Sequence, residues 1–239
     1  MHYRFDLHLH SCLSPCADLG NSPSAIARAA KAAGLNGVML SDHNTSRNSQ
    51  AFAVACQREG IESLFGMEIT TAEEFHVLAA FDTLAQAEQM TDAIYATLPK
   101  RVNQPLIFGD QFVVNADDEI EEQEWHLLSA PTALTIQEID KQVHSLNGLL
   151  IACHINRHVF SVFSQLGGLS GTEGFDAVEL SRQARKIDWT PRILGLPILR
   201  SSDAHNLATI GSIWNEAEME AFTIQELKTA LKENRVINI

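Results

Sequence analysis

The chain has 239 residues, of which 45% are hydrophobic and 20% charged, and its formal net charge is -13. This size and apolar content are sufficient for one large domain, and we predict a single domain over residues 1–239 because candidate site residues occur along the whole chain. The negative charge disfavours a broad surface for nucleic acid, so we do not expect an extended nucleic acid as a partner. The chain has only four scattered cysteines and no apolar stretch long enough for a signal peptide or membrane span, which predicts a cytoplasmic protein without a membrane partner.

Short apolar strands alternate with helical segments in the first third of the chain. Residues 5–8 and 37–41 are predicted as buried strands. Between them, Ser22 as N-cap, Pro23 as first helical residue and Gly34 as stop signal predict a helix. A second helix is predicted from about residue 46 to residue 58, followed by strands at 63–69 and 76–81.

The alternation continues towards the carboxyl end. Helices are predicted at 84–98, 136–146 and 224–233, and buried strands at 149–153, 177–180 and 198–201. This order predicts an α/β protein with a mainly parallel sheet, open or closed into a barrel. Residues 99–131 break the pattern: residues 112–115 precede an acidic run that ends at Glu124, which indicates an insertion or long loop with a hairpin.

A His-x-His pair ends the first predicted strand. Because side chains alternate along a strand, His8 and His10 are expected to point to the same side, where two imidazoles can bind one metal ion. By itself, a His-x-His motif could equally consist of two structural histidines, exposed or satisfied in the core. It is not alone here, because other potential ligands lie beside the ends of five further predicted strands: Asp42, His43, Glu68, His76, His154, Asp203 and His205.

These residue types indicate a metal centre. Imidazole nitrogen and carboxylate oxygen are ligands of Zn, Mn and Fe, and a carboxylate such as Glu68 can bridge two ions. An α/β fold gathers its functional groups at strand ends, so the groups are expected to meet. The sequence has no glycine-rich phosphate loop, nucleophile elbow or dinucleotide fingerprint, which disfavours those other chemistries.

The succession of these motifs resembles the PHP (polymerase and histidinol phosphatase) superfamily, over the range from Asp6 to His205. The opening Asp-Leu-His-Leu-His-Ser-Cys-Leu-Ser-Pro-Cys is similar to that of one subgroup. The resemblance implies a distorted (β/α)7-type barrel and a centre of divalent metal ions, expected to number three, which Zn, Mn or Fe could occupy.

The same resemblance implies how the ligands are shared. His8, His10, Glu68 and Asp203 would surround one ion, and Glu68 would bridge to a second ion held by His76 and His154. His43 and His205 would hold the third. Many relatives complete the third site with an Asp or His a few residues after the opening pair. Here Asp18 is the candidate and Cys16 its competitor, because Pro15 and Cys16 occupy the nearest positions.

Two arginines are candidates for binding substrate. Arg157 follows His154 by three residues, and Arg182 lies just beyond a predicted strand. Either guanidinium could donate two hydrogen bonds to phosphate oxygens, or equally pair with a surface acid. Asp6 and Asp42 are each open to three interpretations: as metal ligands, as groups that orient a ligand imidazole, or as groups that fix the neighbouring backbone.

The predicted function is hydrolysis of a small phosphomonoester by a metal-activated water, with Glu68, Asp203 and His205 as the catalytic residues. Within enzymes, the alternative is a nuclease or nucleotide phosphodiesterase that acts on short strands. From another class, the alternative is a non-catalytic module stabilised by metals. The sequence leaves the substrate, the identity of the metal and the oligomeric state open.

Overall fold

The protein is described by a computed structural model, for residues 1–184 and 188–239. The strands are β1 (His2–Leu9), β2 (Gly37–Leu40), β3 (Glu62–Thr70), β4 (His76–Phe81), β5 (Phe112–Val114), β6 (Ile120–Gln123), β7 (Leu149–Ala152), β8 (Ala177–Ser181), β9 (Ile198–Ser201), β10 (Asn215–Glu218) and β11 (Ile237–Asn238). The helices are α1 (Pro23–Ala32), α2 (Ser49–Glu59), α3 (Leu84–Thr97), α4 (Pro105–Phe108), α5 (Ile136–Ser145), α6 (Val162–Leu166) and α7 (Ile224–Lys232). Two short 3-10 turns cover Thr190–Arg192 and Leu207–Thr209.

Nine strands form one sheet in the order β11-β10-β1-β2-β3-β4-β7-β8-β9. The sheet curls until its β9 side meets β1, where Leu9 and Ala204 form a parallel bridge. The side chain of buried Asn215 bonds across the remaining gap, because it accepts from Arg200 N and donates to Arg200 O. The result is the nearly closed barrel of the predicted distorted α/β type.

The direction of the strands differs from the prediction of a mainly parallel sheet. β1, β2 and β3 are parallel to one another, and so are β7, β8 and β9, but β4 is antiparallel to both of its neighbours. Only five residues join β3 to β4, which is too short for a crossover helix, so the chain can only turn back as a hairpin. This reversal brings the start of β4 to the edge of the sheet where the parallel strands end.

Local signals in the sequence account for most element ends. Ser22 and Thr223 accept hydrogen bonds from the first turns of α1 and α7, and Gly60 adopts a left-handed conformation at the end of α2. Helix α2 begins three residues later than predicted, because Ser46 is held outside the helix by hydrogen bonds to Thr91. No helix within the described residues could cross a bilayer, and the longest of them, α3, has 14 residues.

The predicted excursion at residues 99–131 contains α4 and the β5–β6 hairpin, which is separate from the barrel sheet. Buried Glu124 anchors it, because this carboxylate accepts hydrogen bonds from Arg47 and Tyr95. Phe112 N also donates to Cys12 O, so the excursion packs on the loop that follows β1. The single-domain organisation remains a prediction.

The contacts of His144 on α5 allow a prediction about how stability depends on pH. Its imidazole lies between Asp176, 3.0 Å away, and Asp140, 2.7 Å away, and the hydrogen bond to Asp176 is the main reason why the pKa of His144 is raised. A raised pKa in the folded state stabilises the protein at low pH, and this contribution disappears as the pH rises through that pKa, above about 6.5. We expect His144→Asn to remove a pH-dependent term of less than about 1 kcal/mol, because the pair is partly exposed. Urea unfolding of both proteins at pH 5.5 and 8.5 measures it, and an equal difference at both pH values would contradict it.

Candidate metal centre

All the strand-end motifs meet at one edge of the barrel. His8 and His10 are at the end of β1, His43 follows β2, Glu68 lies near the end of β3, and His154 and Asp203 follow β7 and β9. His76 is the first residue of β4 and reaches the same edge because β4 runs in the opposite direction. The order and direction of the strands therefore bring residues that are far apart in the sequence into a single cluster.

Glu68 is the centre of this cluster. Its Oε1 atom lies 2.9 Å from His76 Nδ1, 3.1 Å from His154 Nε2 and 3.3 Å from His8 Nε2. Its Oε2 atom lies 3.1 Å from His43 Nδ1 and 3.5 Å from His10 Nε2. Burial opposes the ionised carboxylate, but His76, His8 and His43 hold the pKa of Glu68 well below its usual value. One buried carboxylate thus contacts five imidazoles, three through Oε1 and two through Oε2.

Asp203 forms the opposite side of the centre. Its Oδ1 atom is 3.3 Å from His10 Nε2, 3.4 Å from His8 Nε2 and 3.5 Å from His205 Nδ1. The backbone of Asp203 has a positive φ of 49°, a conformation that a non-glycine residue adopts at a cost of about 1–3 kcal/mol. Strain of this kind is often found at functional sites, and here it directs the carboxylate at the histidines.

Four buried imidazole nitrogens have no aligned hydrogen bond within the described residues: His8 Nε2, His10 Nε2, His43 Nδ1 and His154 Nδ1. The first three nevertheless lie 3.1–3.5 Å from carboxylate oxygens of Glu68 or Asp203. A buried polar atom without an aligned partner is costly, and a cation between the imidazoles and the carboxylates would remove this cost. Burial lowers the pKa of His10 to about 4, which keeps the imidazole neutral as a ligand must be. Burial also disfavours the charged form of His8, yet Glu179, Glu68 and Asp203 raise its pKa well above 6.5; a metal ion would neutralise the same carboxylates.

The other ring nitrogens are held by polar groups. His8 Nδ1 lies 2.9 Å from Glu179 Oε2, and His10 Nδ1 lies 3.0 Å from the Ser14 hydroxyl, which in turn donates to Asp42. Such contacts fix the ring orientation and direct the second nitrogen of each imidazole at the centre. The spatial groups that could bind an ion are His8-His10-Asp203, His10-His43-His205, His43-Glu68-His76 and His8-Glu68-Cys153.

Glu179 was missed as a functional candidate in the sequence. It is buried, its Oε2 contacts His8, and its Oε1 accepts a hydrogen bond from His154 N. The available signal was a charged residue inside an otherwise apolar strand. Asp6 accepts hydrogen bonds from His8 N and Ser202 N, as the backbone-fixing interpretation expects. Asp42 accepts from Ser11 N and also from the Ser14 hydroxyl that contacts His10, so it fixes the backbone and supports the orientation of an imidazole.

The two candidates for completing the third metal site, Asp18 and Cys16, are both exposed but differ in their contacts. The backbone N–H of Asp18 donates to His205 O. Cys16 Sγ lies 3.3 Å from His43 Nε2. The assignment of Asp18 as a ligand remains a prediction, and Cys16 is the group that the structure places against a histidine of the centre.

The two candidate arginines also differ. Arg157 forms an ion pair with Asp203 Oδ2 at the rim of the centre, with 39% of its side chain exposed. Arg182 is exposed, and within residues 1–184 and 188–239 no hydrogen bond or ion pair joins it to the centre. Beside Arg157, the ring of Phe160 stacks on His76 with centroids 5.0 Å apart, so an aromatic side chain borders the site.

Comparison with protein families identifies the fold. The PHP domain model matches residues 6–129, and a PHP-associated model matches residues 191–236. The chain belongs to the PHP family. Membership is consistent with a metal-dependent phosphoric ester hydrolase, the enzyme class that the sequence predicts. A search of curated proteins gave no significant match.

Solved structures share the PHP barrel at low identity. Endonuclease Q from Pyrococcus furiosus superposes with a TM-score of 0.73 at 20% identity, over 100% of this chain and 58% of the endonuclease. Endonuclease Q in complex with a 27-mer duplex substrate gives a TM-score of 0.69 at 21% identity, over 98% and 57%. A protein from Bifidobacterium adolescentis, provisionally named a metal-dependent phosphoesterase, gives 0.59 at 20% identity, over 84% and 87%. The chain therefore spans less than two thirds of the endonuclease, and these similarities establish a common fold.

Proposed function

We propose that the protein is a metal-dependent phosphoesterase that hydrolyses a small phosphomonoester. The observation that carries this proposal is the arrangement around Glu68, where one buried carboxylate is within 3.5 Å of five imidazoles and several of their nitrogens make no aligned hydrogen bond. Such a donor set fits more than one divalent ion. When bound, the ions would activate water and neutralise charge on the phosphoryl group.

The residues of the chain have distinct roles in this proposal. Eight of them would hold the metals: His8, His10, His43, Glu68, His76, His154, Asp203 and His205. Glu68 and Asp203 keep the imidazoles oriented, and the pKa of Asp203 is held well below its usual value by His8 and His10 against the effect of burial. Arg157 would bind phosphate oxygens at the rim, because its partly exposed guanidinium lies beside Asp203 and has further N–H donors.

A nuclease activity is a second candidate because of the fold shared with endonuclease Q. The net charge of -13 led us to expect no extended nucleic acid, but a protein with this fold has been solved with a 27-mer duplex substrate. Net charge acts over the whole surface, whereas bound cations reverse the sign locally. Charge alone therefore does not exclude a duplex substrate.

A substrate screen tests the proposal. Protein reconstituted with Zn, Mn or Fe would be assayed with small phosphomonoesters, with dinucleotides and with duplexes that carry a lesion. We expect hydrolysis of phosphomonoesters that requires metal. Cleavage of duplexes alone would favour the nuclease. If metal-loaded protein turns over none of these substrates, the proposed hydrolase is contradicted and a metal-stabilised binding module is favoured.

Metal content is a separate prediction. Eight convergent ligands exceed what a single four- or six-coordinate ion can use, so the purified protein should hold more than one equivalent of transition metal. Elemental analysis measures the stoichiometry. A value at or below one after reconstitution with each metal would contradict a multinuclear centre.

The ninth donor can be identified by spectroscopy. With typical Zn–S and Zn–N lengths of about 2.3 and 2.0–2.1 Å, a sulfur and a nitrogen 3.3 Å apart subtend an angle of about 100° at a shared ion, so the Cys16–His43 contact fits one metal. We therefore expect cobalt-substituted protein to show a thiolate charge-transfer band that Cys16→Ser removes. Asp18→Asn is the matched comparison. If the band is absent and Asp18→Asn alone lowers the metal content, Asp18 is the ligand.

A further inference from the structure

A cleft of about 920 Å³ opens beside the metal centre. Its lining includes the segment after His154, the end of β8 and the Thr190–Arg192 turn. Arg157 belongs both to the cleft and to the centre, because it lines the cleft and contacts Asp203. A substrate whose phosphoryl group lies at the metals can thus extend its leaving group into this cleft.

Two aromatic rings and one guanidinium form a stack in the cleft. The rings of Phe163 and Trp189 meet edge to face with centroids 5.4 Å apart. The Arg192 guanidinium carbon lies 4.9 Å from the Phe163 centroid and 5.2 Å from the Trp189 centroid. Trp189 is buried, whereas Arg192 is exposed. The guanidinium therefore contacts both rings, and the exposure of Arg192 leaves part of it accessible to a ligand.

The size and composition of the cleft indicate the kind of leaving group. Clefts of roughly 300–1,000 Å³ accommodate ligands of drug size, and a phosphate ester of a three-carbon alcohol would fill only a small part of such a volume. A guanidinium plane supported by aromatic rings is a surface on which nucleobases stack. Gln183, also in the lining, has an amide that can donate to and accept from a base edge.

We propose that this cleft binds a nucleoside, so that the substrate is a nucleoside monophosphate whose base stacks on Arg192. The inference rests on the proposed function for the reacting end of the substrate. In that reaction the water oxygen forms a bond to phosphorus, the bond from phosphorus to the ribose oxygen breaks, and the ribose oxygen takes up a proton. The products are a nucleoside and inorganic phosphate.

Trp189 fluorescence provides a direct binding test. With Trp125 and Trp214 replaced by Phe, Trp189 is the single tryptophan of the chain. Metal-loaded protein with these two substitutions would be titrated with the non-hydrolysable phosphonate analogues of AMP and of ribose 5-phosphate. Base stacking contributes about 1–3 kcal/mol, so we expect the AMP analogue to bind about 5- to 150-fold more tightly than the ribose 5-phosphate analogue. Metal-free protein carrying the same two substitutions measures binding by the cleft alone.

Arginine variants assign the effect to the stack. Arg192→Leu should remove the preference for the AMP analogue and leave the affinity for the ribose 5-phosphate analogue unchanged, and Arg192→Lys should retain part of the preference. Arg101→Leu is the matched control, because Arg101 lies over the ring of Phe108, 5.5 Å from its centroid and outside the cleft. Equal affinities for both ligands, or a preference that survives Arg192→Leu, would overturn the inference.

Hydrolysis distinguishes this inference from the proposed function. If the AMP analogue binds with the Arg192-dependent preference and wild-type protein hydrolyses no phosphoester, the nucleoside site stands and the phosphoesterase proposal fails. If wild-type protein hydrolyses AMP and ribose 5-phosphate with equal kcat/KM and Arg192→Leu has no effect, the phosphoesterase stands and the nucleoside site fails.

Discussion

Glu68→Gln should reduce hydrolysis by about 100-fold or more while the protein remains folded. Loss of a group that only orients a metal ligand typically costs about 10–100-fold, and Glu68 itself is within 3.5 Å of five imidazoles. Glutamine keeps the shape of the side chain and removes the charge that allows one carboxylate to bridge two cations. The rate on an accepted phosphoester, metal content and a thermal melt of the apo protein together measure the effect.

Glu173→Gln is the matched control for this experiment. Glu173 is also a buried carboxylate, but it accepts hydrogen bonds from Ser170 N and Gly171 N in a loop away from the centre. We expect its replacement to affect the melting temperature and to leave the metal content unchanged. Turnover near the wild-type rate in metal-replete Glu68→Gln protein would remove Glu68 from the bridging role.

Glu179→Gln should weaken metal binding by about 10–100-fold, the usual effect of losing a group that orients a ligand. The two oxygens of Glu179 face His8 Nδ1 and the backbone N–H of His154. A carboxylate can accept from two N–H donors, whereas glutamine has one acceptor oxygen, so its amide nitrogen must face one of them. The orientation of one histidine is then lost.

Competition with a chelator measures this affinity for wild-type, Glu179→Gln and Glu173→Gln proteins. Glu179→Asp is a further comparison, because it retains the charge on a shorter side chain and should recover part of the affinity. If Glu179→Gln binds metal as tightly as the wild type does, the orienting role of Glu179 is excluded, and its burial between two histidines is structural only.

Local sequence signals predicted the elements well where neighbouring residues determine them. The bounds of β4 and β9 are those predicted, and the N-cap Ser22 is confirmed. The antiparallel direction of β4 was missed, because hydrophobic patterning does not encode strand direction. The signal that was available is the short connection between the predicted strands 63–69 and 76–81, which leaves no room for a crossover. The late start of α2 was also missed, since it depends on Thr91, distant in sequence but close in the fold.

The residues of the candidate centre were evident in the sequence because metal ligands are few in type and lie at strand ends, a local property of the chain. Only the tertiary structure decided which atoms meet there: that Glu68 divides five histidines between two oxygens, and that Glu179 holds His8 from behind. The same holds for Cys16, whose sulfur lies 3.3 Å from His43 Nε2 although the residue is exposed, as Asp18 is. Side-chain direction at a strand end depends on barrel closure and on loops packed from distant parts of the chain, and these contacts have no local signal in the sequence.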